Sequence, residues 1–204
     1  MKSRKEENAE ATRAAIIAAA RKHFTRYGYA DTEISKIAGE ARVTTGAVYH
    51  HFTGKKDLFL AVAEHLEGQI LAAAAAVDES DPWLRLKVGF EKLIDLCASS
   101  DVQRIVFVEA PQVVGPDAWR KVELRYAYGA VREALTALVR AGIVRPYPVE
   151  LIARTLLALF HETSSEVVRS KRDPNVRKQI SGLVNDIFRV FARSSDADFP
   201  QRRG

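Results

Sequence analysis

Between residues 44 and 59 the chain reads TTGAVYHHFTGKKDLF, with adjacent histidines at 50 and 51 and adjacent lysines at 55 and 56. Imidazoles can ligate a metal, glycine-flanked lysines can hold phosphate, and hydroxyls, imidazoles and lysines on one helix can read nucleic acid. Each option needs its own geometry. A zinc site needs ligands that converge, yet neighbouring helical residues such as His50 and His51 diverge by about 100°. A phosphate loop needs GxxxxGK[ST] after a strand, and TGKKD has neither the spacing nor the strand. Contact with a polyanion is the option left standing. In residues 1–60 there are 11 Lys and Arg against 7 Asp and Glu, a surplus of 4 within a chain whose net charge is +5. Positive charge gathered at one end points to the same partner.

Three further signals could carry chemistry. HETSSE (161–166) opens like the zinc-protease HExxH, but Ser165 stands where the second histidine is required, and Glu162 and Glu166 read as a solvated face. His161 follows the apolar run LLALF and fits a core position. Glu109 sits in IVFVEAP, where a carboxylate is costly to bury unless it faces solvent, pairs with an internal arginine, or meets a polar group of a ligand. Cys97 is the single cysteine, so neither an intrachain disulfide nor a cysteine-rich zinc cluster can form. No cofactor and no metal is expected, and no nucleophile–base pair is visible.

The elements that position these residues read as all-helical. A first helix over about 5–27 ends at Gly28, which suits a C-terminal cap. Thr32 is placed to cap a short helix, EISKIAGEA, and Thr44 to cap a third that ends near residue 51. A long fourth helix carries the stripe Leu58, Phe59, Val62, Leu66 and Ile70. Polar DESDP precedes a fifth, a sixth stops at Pro111, and a seventh runs from Pro116 to Gly142. Two more follow, over about 149–171 and 174–193, for nine in all. The organisation expected is a head at 1–54, a helical bundle at 55–194, and a frayed tail at 195–204. No apolar run reads as long enough to span a bilayer, and MKSRKEENAEATR is too polar for a signal sequence, so a cytoplasmic chain without membrane contact is the expectation.

Two short helices joined by GEARV form a helix-turn-helix in outline, a unit that places its second helix in the DNA major groove. Arg42, Thr44, Thr45, Gly46, Tyr49 and His50 point away from the apolar set Val43, Ala47, Val48 and Phe52. Gly46 lets a backbone approach closely, while Tyr49 and Lys55 suit phosphate oxygens. TEISKIAGEARVTTGAVYHHFTGKKDLF closely resembles the DNA-binding segment of the TetR family of bacterial transcriptional repressors. The pattern appears as Thr32, Ile37-Ala38, Val43, Thr44, Tyr49, His50-His51, Phe52, Lys55 and Leu58-Phe59, and covers about residues 12–66. Arg42 departs from it, since the family places glycine just before the turn valine. A left-handed backbone on a non-glycine residue costs roughly a kcal/mol.

The resemblance implies a homodimeric repressor that binds palindromic double-stranded operator DNA and is released by a small effector. Thr32, Arg42, Thr44, Thr45, Gly46, Tyr49, His50 and Lys55 are the expected DNA contacts. A mainly apolar effector is expected against Trp83, Phe90, Leu93, Cys97, Phe107, Trp119 and Tyr126, with Glu109 and His161 as sparse polar groups. The stripes Ile152, Leu156, Leu159, Thr163 and Ile180, Leu183, Ile187, Phe191 are expected to meet their copies in a four-helix dimer interface. Two alternatives stay open from the residues alone: a helical-bundle enzyme or metal-dependent protein with an incidental basic end, and an architectural DNA-binding protein without effector.

Overall fold

The structure, a computed structural model, describes residues 3–193; the tail expected at 195–204 lies outside them. The first helix, α1 (Arg4–Asp31), begins on a capping box in which Ser3 Oγ accepts from the Glu6 amide and Glu6 accepts from the Ser3 amide. Its winding breaks at Gly28, whose φ of +79° only glycine adopts freely. Two short helices follow, α2 (Ile34–Glu40) and α3 (Thr45–His51), and then the 21-residue α4 (Lys55–Ala75). By length and composition α4 is long and apolar enough to cross a membrane, which corrects the sequence expectation. Leu58, Phe59, Val62, Ala63 and Leu66 are instead buried in the protein's own core, where Phe59 meets Phe24 edge-on at 5.0 Å.

The bundle adds α5 (Pro82–Cys97), started by Asp81, whose carboxylate accepts from the amides of Trp83 and Leu84. Next comes α6 (102–114), whose first part, Val102–Glu109, winds as a wider π-helix and continues as Ala110–Val114. The sequence suggested a stop at Pro111. A proline ring collides with the carbonyl one turn back, and the wider winding just before it relieves that collision, so the helix passes through. A second π-segment, Leu124–Tyr128, interrupts α7 (116–140). The last two helices are α8 (Val149–Arg169) and α9 (Pro174–Phe191). Among the described residues there are nine helices and no strand, beyond one isolated antiparallel bridge between Val144 and Ala192.

Two apolar clusters fill this frame. One joins the head to the bundle, running from Ile16, Phe24, Ile37 and Val48 along α4 to Val106 and Trp119. The other lies among α5, α7, α8 and α9, around Phe90, Leu135, Leu156 and Phe188. The head therefore packs on the body through α4, with no solvent layer between them.

Candidate nucleic-acid interface

The turn between α2 and α3 closes tightly. Val43 N–H donates to Ala38 O at 3.0 Å and Arg42 N–H to Gly39 O at 3.2 Å, the paired bonds of a Schellman cap. That motif demands a left-handed residue, and Arg42 supplies it at φ +56°. The expected strain at this non-glycine position is therefore present. Thr44 then caps α3, its Oγ1 accepting from the Ala47 amide at 3.1 Å. Val48 and Phe52 are buried against the head core, with the Arg13 guanidinium 5.1 Å over the Phe52 ring. The opposite face of α3 presents Thr45, Gly46, Tyr49 and His50 to solvent, with Arg42 and Thr44 beside them. Among the described residues the atom nearest to where a Gly46 side chain would begin is Thr44 Oγ1 at 3.8 Å, so an outside backbone can approach there.

Two expected members of this surface sit elsewhere. Thr32 is 3% exposed, and its hydroxyl donates to Gly28 O at 2.6 Å. It closes the end of α1, while Glu33 occupies the N-cap of α2 without a side-chain capping bond to the helix amides. Lys55 donates through Nζ to Ala30 O at 2.9 Å and Thr32 O at 3.1 Å, 4.7 Å from the Tyr29 ring centre. Carbonyls left over at a helix end attract an ammonium, so Lys55 is spent within the chain. Its neighbour Lys56 carries the exposed charge.

The head is tied to the body through α6. Glu109 accepts from the Tyr29 amide at 2.9 Å and from Arg104 Nε at 3.3 Å. Arg104 in turn donates to the carbonyls of Thr25 and Arg26 at 3.1 and 3.2 Å. A side chain at Gly28 would start 2.6 Å from both Arg104 Nη2 and Glu109 Oε1. Of the three options open to Glu109, the structure takes the internal arginine. Arg21 pairs with Asp101, which caps α6 by accepting from the Val102 amide at 2.9 Å. Sequence reasoning missed the ties of Arg104 and Asp101 to α1 because those partners are about 80 residues away.

The residues expected around an effector do not share one lining. Trp83 and Phe90 belong to the second cluster, with Trp83 5.2 Å and Phe90 5.5 Å from Phe188 between ring centres. Leu93, Cys97, Phe107, Trp119 and Tyr126 belong to the first, where Cys97 and Trp119 are fully buried. His161 lies half in solvent, 3.5 Å from Glu162, with its ring 4.7 Å from that of Phe107. The core reading of His161 is thus corrected, while Glu162 and Glu166 both pair with Arg169 on the solvated face. The surface holds cavities of about 690 and 250 Å³. The larger is bordered by Arg21, His65, Gln69 and Asp101, the smaller by Asp95, Arg172 and Arg177, and none of the nine expected residues borders either.

Glu67 was not anticipated. It lies on α4 among Ala63, Leu66 and Ile70, all buried, and is itself only 6% exposed. Burial, and then the charge of Glu123, push its carboxyl up to about 7. Burial raises Glu123 as well, opposed by Trp119, Arg120 and His161. The spacing of 67 to 63 and 70 was the signal available, since i+4 and i−3 place a residue on the same helix face.

The expected dimer stripe on α8 faces inward, and that on α9 is split. Ile152, Leu156, Thr163 and Ile180 are buried inside the protomer, and Leu159 packs against the same cluster. Of the expected α9 residues, Leu183 faces solvent at 52% exposure, with Ile187 and Phe191 half-buried, and Leu151 at 54% and Val190 at 58% are exposed residues the sequence reading did not name. An amphipathic helix in a bundle can have two apolar edges, and on α8 the inner one was taken for the outer one.

Known proteins place this geometry. Residues 16–62, the head and first half of α4, match the family described as bacterial regulatory proteins of the tetR family. Residues 83–190 match the tetracyclin repressor-like C-terminal domain, so family models account for most of the bundle too. The chain is 28% identical over 163 residues to the transposon Tn10 TetC protein of Escherichia coli, spanning 78% of this chain and 81% of that one. It is 34% identical over 110 residues to the HTH-type transcriptional repressor BepR of Brucella suis, spanning 52% of each. Among solved structures, the transcriptional regulator FadR of Bacillus subtilis in complex with stearoyl-CoA superposes with a TM-score of 0.72 at 20% identity, over 86% of this chain and 96% of that one. With the exposed α3 face, the left-handed turn before it and both family models on the same chain, this protein belongs to the TetR family of bacterial transcription regulators.

Proposed function

We propose that the protein is a cytoplasmic homodimeric repressor that grips palindromic operator DNA with α3 and lets go when a small, mainly apolar molecule binds its bundle. The observation that carries this reading is the face of α3, where Thr45, Gly46, Tyr49 and His50 are all exposed beside Arg42. Hydroxyls and imidazoles there reach base edges, while Tyr49, Arg42 and Lys56 reach phosphates. Residues 1–54 form the reading head, and 55–194 carry dimerisation and control. The dimer is supported by Leu151, Leu183 and Val190, large apolar side chains exposed along α8 and α9. A two-fold axis through that face presents two copies of α3 to an inverted repeat.

Control is supported by the route from body to head. The side chains of Arg104 and Glu109 on α6 hold the end of α1 at Gly28, so a shift of α6 on ligand binding turns the head. FadR of Bacillus subtilis, of the same fold, is in complex with stearoyl-CoA, a ligand with a long apolar acyl chain on this architecture. The test is stoichiometry on an inverted-repeat duplex, read by sedimentation. Protomers should bind in even numbers and with cooperativity. Single protomers occupying half-sites independently would overturn the dimeric reading.

A further inference from the structure

The first part of α6 does not repeat as an α-helix does. In an α-helix Glu109 would share a face with Ile105, four residues back, and Val106, three back, both of them buried. Arg104 would then point about 140° away from Glu109, since each residue turns the helix by about 100°. The structure instead aligns residues five apart. Ile105 and Ala110 are both 0% exposed, and the Ala110 amide donates to Ile105 O. Arg104 and Glu109 stand together on another face, with Arg104 Nε 3.3 Å from Glu109 Oε1. That is the repeat of an i→i+5 ladder, and the residue it leaves over is Val108, 52% exposed. Pro111 has no N–H with which to continue the ladder, which ends at Ala110.

The alignment is what grips α1. Arg104 donates to Thr25 O and Arg26 O, and Glu109 accepts from the Tyr29 amide, so the pair flanks the break at Gly28. At the start of the same segment Asp101 pairs with Arg21 and accepts from the Val102 amide. Helix α1 therefore holds both ends of the wide-wound stretch, at points about two turns apart along its own axis. Were the stretch wound as an α-helix, one of Arg104 and Glu109 could stay on α1 while the other faced away. We propose that this π-turn seats the reading head, and that Arg104 and Glu109 are positioning residues for operator reading, set side by side by the extra residue. The inference rests on the regulator reading above and adds how the body fixes the angle of the head.

The test follows two readouts on the full chain: hydrogen exchange of the Tyr29 amide by NMR, and affinity per folded protomer for an operator duplex enriched from a random pool. Glu109→Ala should speed Tyr29 exchange by roughly tenfold or more and weaken operator binding by roughly fivefold or more. Adding Val108→Glu to Glu109→Ala puts the carboxylate four residues from Arg104, the partner position of an α-helix. It should restore neither readout, because Val108 faces solvent in the wide winding. Removing Val108 from the parent should keep both readouts near parental values, since Arg104 and Glu109 then lie four apart in an ordinary α-helix. Recovery with the moved carboxylate overturns the winding, as does loss of both readouts in a folded protein lacking Val108. Should that deletion fail to fold, the moved carboxylate decides alone. Faster Tyr29 exchange with parental operator affinity overturns the positioning role while the regulator reading stands. A parent protein without operator affinity overturns the regulator reading and the operator role together, a failure told apart by a Tyr29 amide that stays protected.

Discussion

Replacing Glu67 by glutamine separates the cost of a buried charge from everything else at that position. Glutamine keeps the shape and the unmet polar burial but cannot ionise. The carboxyl rises from 4.5 to about 7 on folding. At about 1.4 kcal/mol per pH unit, ionising it in the folded protein costs about 3 kcal/mol, an order-of-magnitude value. The sign follows from proton binding. Between those two values the folded chain holds a proton that the unfolded chain has released, so stability falls as pH rises from about 4.5 to about 7, then levels off. Below that window parent and variant share a neutral group and should be nearly equal. At pH 8 to 8.5 the variant should be more stable by up to about 3 kcal/mol, or about 6–12 °C in Tm for a chain of this size. Urea unfolding across the pH range, at one protomer concentration so that dimerisation cancels, reads the difference directly. Parallel pH profiles for the two proteins would show that Glu67 does not titrate as a buried acid.

Other expectations follow from the same contacts. Lys55→Ala should cost about 1–3 kcal/mol of stability, because two charge-assisted bonds to Ala30 and Thr32 are lost, and should leave the salt slope of DNA binding unchanged. Lys56→Ala should leave urea stability intact and lower that slope by about one counterion unit. Leu183→Arg should give a folded monomer in sedimentation with greatly weakened operator binding; an unchanged dimer removes the α8–α9 face from the interface. Gly28→Ala should lose about 1–2 kcal/mol from the left-handed backbone alone, and more from contact with Arg104 and Glu109. Operator affinity should fall with it, since that contact ties the head to α6; a variant with parental stability and affinity refutes the tie.

The head was legible from sequence because its signals are local. Thr44 caps α3 through an amide three residues on, and the apolar spacing of Val43, Val48 and Phe52 fixes which face is buried. Thr32 and Lys55 were misread for the opposite reason. A capping hydroxyl and a basic residue look the same on paper whether they face solvent or the carbonyls ending α1, and only the path of the chain past Gly28 decides. In the bundle, periodicity found the helices but not their partners. Both edges of α8 and α9 are apolar, so spacing could not say that Leu156 faces inward and Leu151 outward. Glu109 and Glu67 show the same limit more sharply. One accepts from Arg104, five residues away, and from the Tyr29 amide across the fold, while the other is buried on α4, a difference that periodicity alone does not show.

The central claim is that α3 reads a specific inverted repeat, and selection from a random duplex pool tests it most directly. The parent protein should enrich a palindrome whose half-sites lie about one helical turn apart, with binding that weakens steeply as salt rises. Repeating the selection with Thr45→Ala and His50→Ala should relax or change individual base positions, each by about 1–3 kcal/mol of discrimination, without altering the spacing. A pool with no enriched motif, or the same motif from both variants at unchanged strength, would contradict the assignment of α3 as the reading helix.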